Sequence, residues 1–157
     1  MYKRQYVGSE TINHSLTATF DNKNVGSSKV VTVNSVSLSN GSNGGLAANY
    51  SLSTGQTTTA NITPKTLTAT ATSSNKVYDG NTTATTTLSF SGLVGSETLG
   101  QTVGSTFSDK NVGTGKTVTV NSITLADGTN GGLAVNYSIS TGPVSYTHLT
   151  LPTIDRV

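Results

Sequence analysis

The chain has no cysteine and no tryptophan, only three prolines, and just 10% charged residues. Without cysteine there is no disulfide and no thiolate-ligated metal; the compartment stays open, because an extracellular protein can lack disulfides. No run of 18 or more apolar residues occurs, so no transmembrane helix and no membrane insertion are expected. The scarcity of charge also bears on partners. Between Tyr6 and Gly142, lysines 23, 29, 65, 76, 110 and 116 are matched one for one by Glu10, Asp21, Asp79, Glu97, Asp109 and Asp127. The clustered basic face that nucleic-acid binding requires is missing. No stretch shows the 3.6-residue periodicity of an amphipathic helix.

About a third of the residues are Ser or Thr, and Gly and Asn supply the turns, a mix suited to Thr-rich strands. Disorder would leave Val, Leu, Ile and Phe out of phase, whereas here they alternate with polar residues. The chain also repeats itself. Val7 to Gly55 recurs without a gap as Val94 to Gly142, with about thirty of the forty-nine paired positions identical. A period of roughly 87 residues is too long for a solenoid rung and suits a small module with its own core.

The repeat is an internal control: a residue that the module needs stands in both copies. Both carry Val-Gly-Ser-Glu-Thr (Val7 to Thr11, Val94 to Thr98), Lys-Asn-Val-Gly (Lys23 to Gly26, Lys110 to Gly113) and Val-Thr-Val-Asn-Ser (Val31 to Ser35, Val118 to Ser122). Both also carry Asn-Gly-Gly-Leu-Ala (from Asn43 and Asn130) and Asn-Tyr-Ser (from Asn49 and Asn136). The ends, residues 1–5 and 143–157, break the repeat and resemble translated read-through, so both are expected to be non-native tails. The expected layout is a partial first module (6–61), a linker (62–65) marked by Thr63-Pro64, and a second module (66–142).

In the second copy the alternation predicts strands over 65–72, 83–90, 102–107, 116–125 and 136–140. The apolar phase of the fourth flips near Asn121-Ser122, as it does at Asn34-Ser35 in the first copy. One inserted residue flips a strand's phase, so a β-bulge is predicted at both places. Six or seven short strands per module predict an all-β fold of two tandem, small β-sandwich-like (Ig-like) modules, the first of them incomplete.

Ile62-Thr63-Pro64-Lys65-Thr66-Leu67-Thr68, Lys76-Val77-Tyr78-Asp79-Gly80-Asn81, Gly92-Leu93-Val94-Gly95-Ser96-Glu97, Asp109-Lys110-Asn111-Val112-Gly113 and Asn136-Tyr137-Ser138 follow one another in order. This ordered set resembles the YDG-type repeat of filamentous-haemagglutinin-like bacterial surface adhesins, over about Ile62 to Gly142 and part of the region before it. The resemblance implies a stalk or spacer module in an extracellular or cell-surface setting, with no catalytic residues to carry over and no cofactor. The partners it implies are neighbouring modules of the same chain, with a host-cell or matrix ligand met elsewhere in the parent protein.

The residues themselves offer little chemistry. His14 becomes Gln101 in the other copy, and His148 lies beyond the repeat, so no shared acid–base pair is available to a hydrolase. Glu10 and Glu97 are shared but read as solvated turn carboxylates, one to a copy where a glycosidase needs two. Asp79-Gly80-Asn81, Asp109-Lys110-Asn111 and Asp127-Gly128-Thr129-Asn130 place oxygens on turns, as calcium would want. Their charge is not kept between copies, and Asx turn chemistry accounts for them. The residues read as structural are Tyr78, Asp79 and Gly80 of the signature, Phe20 and Phe107, and Tyr50 and Tyr137, the last pair as core tyrosines tying down a corner. Tyr78 is expected to brace the module or its junction, with a stacking role for the tyrosines in carbohydrate binding as the alternative.

Overall fold

A computed structural model describes residues 7–140 and the backbone of Ser145–Thr147. The described residues are all-β, with two one-turn 3-10 segments, Ala47–Asn49 and Ala134–Asn136, and no α-helix. The chain divides into two compact units, Met1–Thr63 and Pro64–Val157. Strands run up to the boundary from both sides, leaving Thr63 and Pro64 between them. Proline, lacking an N–H, cannot donate to a ladder and ends the pairing there.

The first unit is one antiparallel sheet in the order β1-β2-β3, from β1 (Ile12–Phe20), β2 (Gly26–Asn40) and β3 (Thr57–Ile62). The second holds β4 (Lys65–Ser73), β5 (Thr86–Ser91), β6 (Leu99–Phe107), β7 (Thr117–Asp127), β8 (Tyr137–Ile139) and β9 (Ser145–Thr147). These form two three-stranded sheets, β5-β4-β8 and β6-β7-β9. Every pairing is antiparallel except β4 with β8, which run parallel with Lys65 opposite Tyr137 and Leu67 opposite Ile139. The short β9 lies in the stretch expected to be a tail, and its backbone pairs with Thr117 to Thr119 of β7.

Both expected bulges are present and fall on one residue each. In the first unit Thr17 pairs with Ser35 and Ala18 with Val33, which leaves Asn34 over; in the second Gly104 pairs with Ser122 and Ser105 with Val120, which leaves Asn121 over. Each extra asparagine is tied across the ladder by its amide, Asn34 to Thr19 Oγ1 at 3.0 Å and Asn121 to Thr106 Oγ1 at 3.1 Å. The bulge turns the apolar set of β7 so that Val118 faces inward on one side of it and Ile123 and Leu125 stay half-buried on the other.

The expected strand 83–90 is split. Thr83 makes an isolated bridge to Thr106 of β6, while regular pairing with β4 starts only at Thr86, opposite Ser73. This segment therefore crosses from one sheet to the other, and the crossing closes the core. Alternation along β4 puts Leu67 and Ala71 inside, β5 adds Leu88, and Ala84 packs with Phe107 and Val118. Leu67 is the most deeply buried large side chain.

Candidate functional site

The second unit gathers Lys76, Tyr78, Phe107, Asp109 and Lys116 around the signature loop between β4 and β5. Lys76 Nζ sits at its centre, 2.8 Å from Asp79 Oδ1, 2.8 Å from Asn81 Oδ1, 3.1 Å from the Asn81 carbonyl and 3.0 Å from the Thr83 carbonyl. Its ammonium also lies 5.8 Å from the centre of the Phe107 ring, within the range of a cation–π attraction. Asp79 accepts the Asn81 N–H and Asn81 Oδ1 accepts the Thr83 N–H, two successive side-chain turns. Gly80 takes a φ of +79° between them, a region that glycine enters without steric cost. The Tyr-Asp-Gly signature is thus a loop wound around a lysine ammonium.

A second lysine organises the turn between β6 and β7. Lys116 Nζ pairs with Asp109 Oδ1 and donates to the Asn111 carbonyl at 2.7 Å, while Asp109 accepts the Asn111 N–H at 2.8 Å. In the first unit the equivalent Lys29 reaches Asp21 Oδ1 at 3.0 Å and Asn22 Oδ1 at 2.6 Å. The carboxylate has moved along the turn by one residue, and the flexible lysine follows it. Both lysine side chains are only 9% exposed. The hydrogen bond to lysine, first among the causes, holds the carboxyls of Asp21, Asp79 and Asp109 below their ordinary value.

These contacts assign the oxygens that the sequence offered to calcium. Asp79 and Asp109 serve lysines and backbone N–H groups, and Asp127 Oδ1 accepts the Ala134 N–H at 2.7 Å. In the first unit Asn40 Oδ1 accepts the Ala47 N–H at 2.8 Å. An amide oxygen does this work as well as a carboxylate, which is why the charge is not kept between the copies. Among the described residues no three His, Cys, Asp or Glu side chains gather as a metal cluster would.

The shared glutamates are not solvated turn residues, contrary to expectation. The Tyr137 hydroxyl donates to Glu97 Oε2 at 2.6 Å and accepts the Val94 N–H at 3.1 Å. The Tyr50 hydroxyl repeats this with Glu10 at 2.6 Å and the Val7 N–H at 3.2 Å. Tyr50 thereby pins the loop before β1 and Tyr137 the loop before β6, each bonding a glutamate 40 residues back along the chain. Tyr137 is buried and Tyr50 is half-buried.

The signature tyrosine behaves differently. Tyr78 is 56% exposed and borders a shallow surface depression shared with Lys76, Phe107, Asp109, Val112 and Lys116. Phe107 is buried there and Phe20 is 38% exposed. With so much of its ring open, Tyr78 is not a core brace.

Three roles escaped the sequence. The lysines at 29, 76 and 116 are internal cations; the first and third stand at matching positions of the two copies, a signal the internal comparison contains. Gln101, which aligns with His14 of the other copy, clasps Leu88 on both sides: its Oε1 accepts the Leu88 N–H at 3.0 Å and its Nε2 donates to the Leu88 carbonyl at 2.7 Å. Ser105 is buried, and its hydroxyl donates to the Ala84 carbonyl at 2.9 Å. No spacing in the sequence links these to Leu88 or Ala84.

Compared with known proteins, residues 3–60 and again 63–145 match the family model described as the YDG domain. No curated protein and no solved structure matches the chain.

Proposed function

The chain belongs to the YDG domain family, and from that premise we propose that it is a structural spacer, a stalk segment of a secreted or surface-anchored bacterial adhesin, without catalysis of its own. In this reading each complete module is a small sandwich-like, Ig-like unit, and tandem modules set the distance between a cell surface and a binding tip.

The observation that carries the reading is the parallel pairing of β4 with β8. β4 is the first strand of the second unit and β8 lies near its end, and the two run side by side in the same direction. A pull that separates the two ends, once the three-residue β9 has peeled from β7, slides β8 along β4 and loads the rungs from Lys65 to Leu67 together. An antiparallel terminal pair would instead open one rung at a time. Resistance to pulling is governed by the unfolding rate, and rungs that must break together slow that rate. Shear resistance is what a stalk requires.

Single-molecule stretching of the full chain tests this. The second unit is expected to give a distinct rupture peak, and Ser138→Pro in the middle of β8, where the proline ring fixes φ and supplies no N–H to a ladder, is expected to lower it. Extension of the second unit without a peak overturns the mechanism.

The exposed Tyr78 ring beside a shallow depression favours a second reading, in which the module itself binds carbohydrate. Glycan binding by the full chain that Tyr78→Ala abolishes would establish it over the spacer alone.

A further inference from the structure

We propose that β1 of the first unit is an acceptor edge that takes up a β-hairpin with the chemistry of residues 64–92 of this chain. The second unit shows how the equivalent edge is occupied. There Ala84 donates its N–H to the Ser105 carbonyl at 3.0 Å, and Phe107 donates its N–H to the Thr82 carbonyl at 2.7 Å. The Thr86 and Ser105 hydroxyls lie 2.7 Å apart, Gln101 clasps Leu88, and Ala84 packs on Phe107 and Val118.

The first unit repeats the receiving surface. β1 is an edge strand. Phe20 stands opposite Val31 as Phe107 stands opposite Val118, with the bulge at the equivalent residue. By that register the Phe20 N–H and the Ala18 carbonyl face the open edge, where Phe107 and Ser105 receive Thr82 and Ala84. Phe20 is 38% exposed where Phe107 is 6%, and Leu16 is 55% exposed where its counterpart Val103 is half-buried. Among the described residues nothing in the first unit corresponds to the hairpin of β4 and β5. An open strand edge beside exposed apolar side chains is a template for strand addition.

The choice of occupant follows from the identities. Thr19, Phe20 and Val31 match Thr106, Phe107 and Val118, so the small Ala84 and the strand edge at Thr82 and Thr83 fit both surfaces. Two positions differ. Ala18 lacks the hydroxyl of Ser105, and His14 lacks the paired donor and acceptor of the Gln101 amide. The acceptor is therefore weaker than its counterpart, and Ala18→Ser with His14→Gln should strengthen it.

The probe is a synthetic peptide of residues 64–92, added to the full chain and followed by amide hydrogen exchange. At a concentration about 100 times its Kd, the peptide is expected to slow exchange at the Phe20 amide about 100-fold, since that N–H faces the open edge whereas the Thr19 N–H faces β2. The Ala18→Ser, His14→Gln double variant should bind about 10- to 100-fold more tightly, since it gains two or three hydrogen bonds. A second form of the chain carries residues 64–93 fused ahead of Val7, as Leu93 precedes Val94. It is expected to show the same slowing even where the free peptide is too disordered to bind. Unchanged exchange at Phe20 in both forms overturns the proposal. So does equal protection by a peptide carrying Ala84→Lys and Leu88→Lys, which would show indiscriminate strand pairing. Protection that rises with protein concentration in the absence of peptide would make a second copy the occupant and overturn it likewise.

Discussion

The two units are built from largely the same text and reach different degrees of burial. Among the described residues, the first buries one large apolar side chain, Ile12, whereas the second buries Leu67, Leu88, Phe107, Val118 and Tyr137. Yet the local features agree closely: the same bulge, the same tyrosine-to-glutamate bond at 2.6 Å, and the same left-handed asparagine (Asn43 and Asn130, both at φ 56°). Among the described residues, the difference lies in β4, β5 and the crossing between them, which only the second unit has. Hairpins, bulges and turns are thus encoded within the shared segment. The core is a product of that segment and the hairpin that covers it.

Core truncation should separate the units most. Phe107→Ala is expected to destabilise the second unit by about 3–5 kcal/mol. Phe20→Ala should cost the first only about 1 kcal/mol, because little packing is there to lose. Urea titration followed by hydrogen exchange reads each unit separately, and equal costs would show that Phe20 is packed as its counterpart is.

The Gly-rich loop should do the opposite and treat the units alike. A Cβ on Gly132 or on Gly45 would lie 2.0 Å from the Thr98 or Thr11 carbonyl oxygen. Backbone must move in either case, and Gly132→Ala and Gly45→Ala are each expected to cost about 1–3 kcal/mol. A large cost in one unit alone would mean that the loop depends on the core after all.

Exchanging Gln101 and His14 sharpens the contrast on a smaller scale. Gln101→His breaks two hydrogen bonds to Leu88 and should cost the second unit about 1–2 kcal/mol, whereas His14→Gln should leave the first unit's melting temperature unchanged, since no Leu88 faces it.

Acid should produce the smallest difference. Asp79 and Asp109 in the second unit and Asp21 in the first have lowered carboxyl pKa values through their lysine partners. Stability from a lowered carboxyl is fully present above the unfolded value, near 3.8, and is lost as pH falls through the folded value. Both melting temperatures should therefore decline below about pH 4. The second unit, with two such anchors, should decline further, and Asp79→Asn should narrow the gap.

Strand positions, both bulges and the break at Thr63-Pro64 were legible because alternation, phase flips and proline are local signals. The split of 83–90 was not, since Thr83 and Leu88 look alike in pattern and differ only in which sheet they meet. The site was half legible. Tyr78, Asp79 and Gly80 were found, but the lysine they surround was not, because lysine in sequence reads as a solvated charge. Glu97 read as solvated for the same reason, its partner Tyr137 being 40 residues away.

By itself, then, the sequence determined the all-β character, the duplication, the bulges at Asn34 and Asn121 and the turn chemistry, all set by steric and hydrogen-bonding preferences within a few residues. Only the tertiary structure decided that β4 and β8 run parallel, that Lys76 fills its own loop, that Gln101 clasps Leu88, and that Phe107 is buried while Phe20 is not. Burial depends on what lies across the sheet, and that neighbour comes from a distant part of the chain.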